Sequence, residues 1–148
     1  MNENIKAIDV AEFFLCLPDE ESGDNLSNLK LQKLIYYAQG FHLALFNKPL
    51  FDDKIEAWEH GPVVKEVYHK YKYHGSGAIP KPKEYNGNIF SDEQIELMKE
   101  IFVVYGQYSA WRLREITHSE QPWQNTPRNQ EISQHLMTSY FQTQLNSK

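Results

Sequence analysis

A mainly α-helical fold is what the sequence predicts: one compact domain of about five to six helices, with a small β-hairpin between the second and third. Three observations carry this reading. Apolar residues recur at helical spacing through most of the chain. Prolines, glycines and capping residues punctuate those runs at intervals of helix length. Short extended runs occur only around Leu50 to Trp58. A chain of 148 residues that is 41% hydrophobic and 14% aromatic suits a single domain, 1–148, with its own core.

The first helix is expected over Ile5 to Leu17, where Val10, Phe13, Phe14 and Leu17 share one face. Pro18 and the acidic run Asp19 to Asp24 end it. The second starts near Ser27 or Asn28 and runs to about Phe46. Leu31, Leu34, Ile35, Ala38, Phe41 and Leu45 form one stripe, and Tyr36, Tyr37, Leu43 and Ala44 put apolar surface elsewhere. A helix apolar on most sides is a central one. Gly40 sits inside it at a cost of about 1 kcal/mol against alanine, which close approach of another element would offset.

Leu50-Phe51 and Ile55 to Trp58 read as a hairpin turning at Asp52–Lys54. Gly61-Pro62 then opens a third helix, with Val64, Val67, Tyr68 and Tyr71 inward and Lys65, Glu66, His69, Lys70 and Lys72 outward. His74 to Asn88 reads as a mobile loop. Ser91 and Gln94 form a capping box for a fourth helix ending at Gly106, with Ile95, Met98, Phe102 and Tyr105 buried. Ser109 caps a fifth, Ala110 to Thr117. A last helix runs from Ser133 to Leu145 after the turn-rich segment around Trp123.

The chemistry-bearing residues form no catalytic set. The six histidines show no metal-ligand spacing and there is one cysteine, so neither a metal site nor an internal disulfide is expected. Cys16 reads as a small core residue. Asp52-Asp53 reads as a turn, Asp92-Glu93 as a first helical turn, and Asp19-Glu20-Glu21 as a solvated loop. No phosphate-binding glycine motif occurs, and no cofactor is expected. The strip Lys65 to His74 alternates basic and tyrosine residues, as a nucleic-acid binder could. Helical spacing turns Tyr68 and Tyr71 inward, however, and the net charge is −5, so direct nucleic-acid binding is not expected. Trp58 and Trp123 suit either a core or an interface. No signal peptide or membrane-spanning run is apparent, so a soluble cytoplasmic protein is expected. No motif sets an oligomeric state.

The block LKLQKLIYYAQGFHLALFNKPLFDDKIEAWEHGPVVKEVYHKY, Leu29 to Tyr71, is followed by THSEQPW, Thr117 to Trp123. The segment YGQYSAWRL and the closing SYF, Ser139 to Phe141, stand in order around the second block. Together these resemble the Panacea domain, the SocA-like antitoxin domain also known from phage-associated GepA-like proteins. The resemblance implies a mostly α-helical domain that neutralises a co-encoded protein toxin, commonly on prophages or other mobile elements. It implies no catalytic residue. One branch of the family hands its toxin to an ATP-dependent protease. Many members carry an added DNA-binding domain, which is not expected within these 148 residues.

The signature positions expected to serve folding are Tyr36, Gly40, Ala57, Gly61, Pro62, Val63, Thr117, His118 and Pro122. Lys33, Tyr37, Trp58, His60, Lys65, Tyr68, His69, Lys72 and Trp123 are the candidates for partner contact. Two other functions stand beside the antitoxin. One is a small hydrolase or transferase using His118 or His60. The other is a nucleic-acid-binding accessory protein of a mobile element using Lys65, Lys70 and Lys72.

Overall fold

A computed structural model describes residues 4–18, 26–85 and 87–145. In chain order it contains α1 (Ala7–Leu15), α2 (Asn28–Phe46), β1 (Glu56–Trp58), β2 (Gly61–Val63), α3 (Lys65–Tyr71), α4 (Asp92–Tyr105), α5 (Ala110–His118), α6 (Gln121–Gln124) and α7 (Gln134–Leu145). The fold is mainly α with one two-stranded antiparallel sheet between α2 and α3. Among the described residues, no helix is long and apolar enough to cross a membrane.

Helix α2 is the axis. Ser27 caps it through Lys30 N–H, and Asn47 closes it in the left-handed conformation at φ 60°. Helices α1, α3, α4, α5 and α7 and strand β2 all pack on it. That crowding is why it is apolar on most sides. Its interior polar residues are explained by the chain they face. Residues 50–64 are largely irregular, and their backbone groups find partners on α2. Gln39 accepts from Leu50 N–H at 2.7 Å and donates to the Phe51 carbonyl at 2.8 Å. Gln32 accepts from Val64 N–H at 2.9 Å, at the start of α3. Lys33 Nζ donates to the Pro62 carbonyl at 3.4 Å. Each α2 amide thus does for a loop what a neighbouring strand does in a sheet.

The hairpin lies one step further along than the sequence suggests. Leu50-Phe51 is not a strand, because Gln39 takes its backbone groups. Asp53 does not turn a hairpin either: its carboxylate accepts from Ala7 N–H at 2.9 Å, at the head of α1. The strands are Glu56–Trp58 and Gly61–Val63, paired Glu56↔Val63, Ala57↔Pro62 and Trp58↔Gly61, so Glu59 and His60 form the tip. Gly61-Pro62 is therefore strand, and the helix waits for Lys65, with buried Val64 at its N-cap. Proline is tolerated here because β2 is an edge strand. The outer edge of β1 is met by residues 129–132, through Ala57 N–H to the Gln130 carbonyl at 3.0 Å and Ile132 N–H to the Ile55 carbonyl at 2.7 Å.

Other boundaries move little. Helix α1 starts at Ala7, with Lys6 N–H bonded to the Asp9 carboxylate at 2.9 Å. The capping box of Ser91 and Gln94 is formed, and the short α6 adds a helical turn the sequence does not advertise. On α4 the fully buried face is Leu97, Met98 and Ile101, with Ile95, Phe102 and Tyr105 partly covered. The segment before α4 is tied down at buried Ile79, whose N–H donates to the Leu26 carbonyl at 2.8 Å. Cys16 is half-buried rather than interior, and burial raises its thiol pKa. The acidic run Asp19 to Asp24 lies outside the described residues.

Candidate functional site

The turn between α5 and α6 and the tip of the hairpin meet through Trp123. Its indole N–H donates to the Trp58 carbonyl at 2.7 Å. The His118 ring stacks on the indole with centroids 3.9 Å apart, and the Arg128 guanidinium sits 3.7 Å from the same centroid. Two groups centred that close over one ring cannot share a face, so the indole is sandwiched between imidazole and guanidinium. Arg128 is itself held by two bonds of 2.8 Å, to the Trp123 and Thr126 carbonyls. Replacing Trp123 with phenylalanine keeps the stack and deletes the donor. The unfolding free energy should drop by about 1–2 kcal/mol in chemical denaturation, the usual consequence of stranding a partly buried carbonyl. An unchanged midpoint would show that the hairpin is held elsewhere.

Beneath the sandwich lies a buried polar centre that the sequence did not announce. Glu120, in the middle of THSEQPW, accepts from Tyr36 and Tyr37 hydroxyls, each at 2.9 Å. Burial pushes its carboxyl up to about 7, against the lowering effect of hydrogen bonds from Tyr36, Tyr37 and Tyr140. Tyr37 also stacks on Tyr105 at 3.8 Å. A lone glutamate among helix residues looks like solvent-facing surface. Only the two adjacent tyrosines on an otherwise apolar helix hint that a buried acceptor exists somewhere in the chain.

Lys33 is fully buried below β2, and burial drives its amine down to about 7, with Arg114 adding to the effect. Gly61 makes room for it. A Cβ at Gly61 would collide with Lys33 Cε and press on Thr117 Oγ1, and its φ of 116° already favours glycine. Thr117 is buried too and donates its hydroxyl to the Arg114 carbonyl at 3.0 Å.

Two hollows flank the hairpin tip. One, of about 530 Å³, is lined by Gln32, Trp58, His60, Tyr68 and Lys72 among others. The second, of about 510 Å³, is lined by Glu59, Arg114, His118, Trp123, Arg128 and Asn129. On the rim, Arg114 lies 4.5 Å over the exposed Trp111 ring and donates through Nε to His60 Nδ1 at 2.8 Å. That bond requires His60 Nδ1 to be unprotonated. His118 Nε2 is buried without a hydrogen-bond partner. Burial lowers the His118 pKa, helped by the positive charges of Arg114, Lys33 and Arg128 and opposed by a hydrogen bond with the Glu59 backbone.

The family model for the SocA-like antitoxin, Panacea domain, matches residues 31–124, which span most of α2, the hairpin, α3 to α5 and the THSEQPW turn. The chain belongs to this family. Antitoxin SocA of Caulobacter vibrioides (strain NA1000 / CB15N) is 34% identical over 109 residues, covering 66% of this chain. The chain spans 58% of the length of that relative. No solved structure matches.

In this Panacea domain the candidate residues separate cleanly. Lys33 and Tyr37, considered for partner contact, are interior and support the face from below. Trp58, His60, Tyr68 and Lys72 line the first hollow and Trp123 the second. Tyr68, expected inward, is half-buried with its ring edge-on to Trp58 at 5.0 Å. Lys65 and His69 are exposed on α3, Lys65 at 4.0 Å from Glu56. Of the folding candidates, Tyr36, Gly40, Ala57, Gly61, Pro62, Val63, Thr117 and Pro122 are all buried, whereas His118 reaches the second hollow. The sequence missed Trp111, Arg114 and Arg128. Trp111 sits within the YGQYSAWRL segment, but nothing in its spacing says that it is left 56% exposed.

Neither His60 nor His118 is hydrogen-bonded to a carboxylate among the described residues, and no group of acidic, histidine or cysteine side chains there could hold a metal. In the basic strip Tyr71 is interior and Tyr68 packs on Trp58. Tyr73, 80% exposed and stacked on His74, is left facing solvent.

Proposed function

We propose that this protein is an antitoxin. It binds a protein toxin encoded beside it and blocks that toxin's activity through the face around the hairpin tip. The observation that carries the reading is the family match over residues 31–124. The named relative, Antitoxin SocA, supports it. The residue types on this face support the location. Tryptophan and arginine are the residue types that dominate binding energy at protein interfaces. Here Arg114 and Arg128 line one hollow beside the hairpin tip, and the exposed Trp111 lies under Arg114. A stable complex needs about 800 Å² from each partner.

Co-expression tests the proposal. The product of the adjacent gene should arrest growth when expressed alone and should be tolerated when this protein is present. A harmless neighbour, or one that stays toxic beside this protein, refutes it. Toxin levels then separate two modes of action. Stable toxin in a purified complex indicates sequestration. Toxin that disappears only in cells retaining an ATP-dependent protease indicates delivery for degradation.

A further inference from the structure

The second hollow concentrates positive charge on an acidic protein. The chain has three arginines and a net charge of −5. Two of the three, Arg114 and Arg128, line this one hollow. Neither forms an ion pair among the described residues, whereas Arg112 bonds Glu115 at 3.2 Å. Both are held in place by tryptophan faces and single-nitrogen contacts. Arg114 uses Nε on His60, and Arg128 uses one terminal nitrogen on two carbonyls. The remaining guanidinium N–H groups make no hydrogen bond within the described residues. His118 Nε2 is likewise unpartnered in the same wall. The one opposing charge on the lining is Glu59, at the hairpin tip and beyond ion-pair distance of either arginine.

We propose that this hollow recognises a carboxylate, and that its ligand is an aspartate or glutamate side chain of the bound protein partner. Guanidinium groups already oriented by stacking lose little freedom on engaging a carboxylate with two parallel hydrogen bonds. A protein carboxylate fits better than a nucleotide phosphate, because both faces of the Trp123 ring are occupied and one face of Trp111 lies under Arg114, which leaves no aromatic slot within the hollow for a base. Glu59 then sets selectivity: it repels anions that enter without engaging both arginines. The identity of the partner as a toxin rests on the antitoxin reading; the chemistry of the hollow does not.

The test has two stages. In the first, the intact protein at low salt is titrated with a capped (Gly-Asp)3 peptide, its Asn counterpart and inorganic phosphate, following the arginine Nε–H signals by NMR. The aspartate peptide should move Arg114 and Arg128 but not Arg112, and the asparagine peptide should move none. Equal movement of all three arginines, or phosphate acting at lower concentration than the peptide, overturns the proposal. In the second stage, binding of the neighbouring gene's product is measured. Arg114→Gln should weaken the complex at least tenfold and flatten its salt dependence, and Glu59→Gln should tighten it. Arg128→Lys keeps the charge but loses the fork, and should also weaken it. Arg112→Gln should change nothing. Normal binding by Arg114→Gln and Arg128→Lys refutes the carboxylate site while leaving the antitoxin reading intact. If the wild-type protein ignores the neighbour's product yet the aspartate peptide still moves both arginines, the antitoxin reading fails and the site stands.

Discussion

Replacing Gly40 with alanine should lower the unfolding free energy by about 2 kcal/mol, even though alanine is the better helix former by about 1 kcal/mol. The added methyl would fall inside the space filled by the Phe141 ring. That ring has nowhere to go. It is fully buried, with Tyr36, Tyr37 and Phe41 packed edgewise on it at 5.4, 6.0 and 4.9 Å. Moving it disturbs the two tyrosines that bond Glu120, so the effect should spread from the α2–α7 seam to the α5–α6 turn. Trimming the ring as well, in the double variant Gly40→Ala with Phe141→Leu, should recover part of the loss. Urea denaturation of the four proteins closes the cycle. A higher midpoint for the single alanine variant would mean that helix propensity, and not close packing, governs this position.

The second large effect is on the pH dependence of stability, and it comes from two buried groups of opposite charge. The Glu120 carboxyl moves from 4.5 to about 7 on folding. Its contribution is fully present below pH 4.5 and is lost as pH rises through 7, a change of roughly 3 kcal/mol. The Lys33 amine moves from 10.5 down to about 7. Its contribution is present above pH 10.5 and is lost as pH falls through 7, by an amount on the order of 5 kcal/mol. Near neutral pH both contributions are absent. Other groups overlay this pattern: His42 and His118, both lowered by burial, oppose Glu120 on the acid side. Differences between variants and wild type isolate the two groups. The advantage of Glu120→Gln over wild type should grow from pH 5 to pH 8. That of Lys33→Met should shrink from pH 7.5 to pH 9.5. Flat differences would show that neither group titrates as a buried charge.

Helices α2, α4 and α5 were legible because each is written twice, once in its apolar spacing and once in its cap. Ser27, Ser91 and Ser109 all accept from the third residue on, where the sequence placed them. The hairpin was misplaced by a few residues because its position is set by side chains far away in sequence. Gln39 claims the backbone of Leu50 and Phe51, and Asp53 is drawn to α1. No local pattern records either event. The same limit applied to the site. Of the residues chosen as candidates for partner contact, Trp58, His60, Tyr68 and Lys72 line one hollow, and Trp123 lines the next and bonds the Trp58 carbonyl. Lys33 and Tyr37 were not separable from them, because a lysine or tyrosine on a central helix gives no sign of which neighbour covers it. Arg114 and Arg128 went unnoticed because a single arginine on a helix or in a loop is ordinary; only folding brings the pair to one wall.

The sandwich of His118, Trp123 and Arg128 also gives the molecule an optical handle. A protonated imidazole in contact with indole drains its excited state, and a neutral one does so far less. Emission from Trp123, separated from that of Trp58 and Trp111 by single phenylalanine replacements, should therefore dim as His118 gains a proton and change again when an anion settles beside Arg128. Occupancy of the hollow could then be followed in real time without attaching a dye.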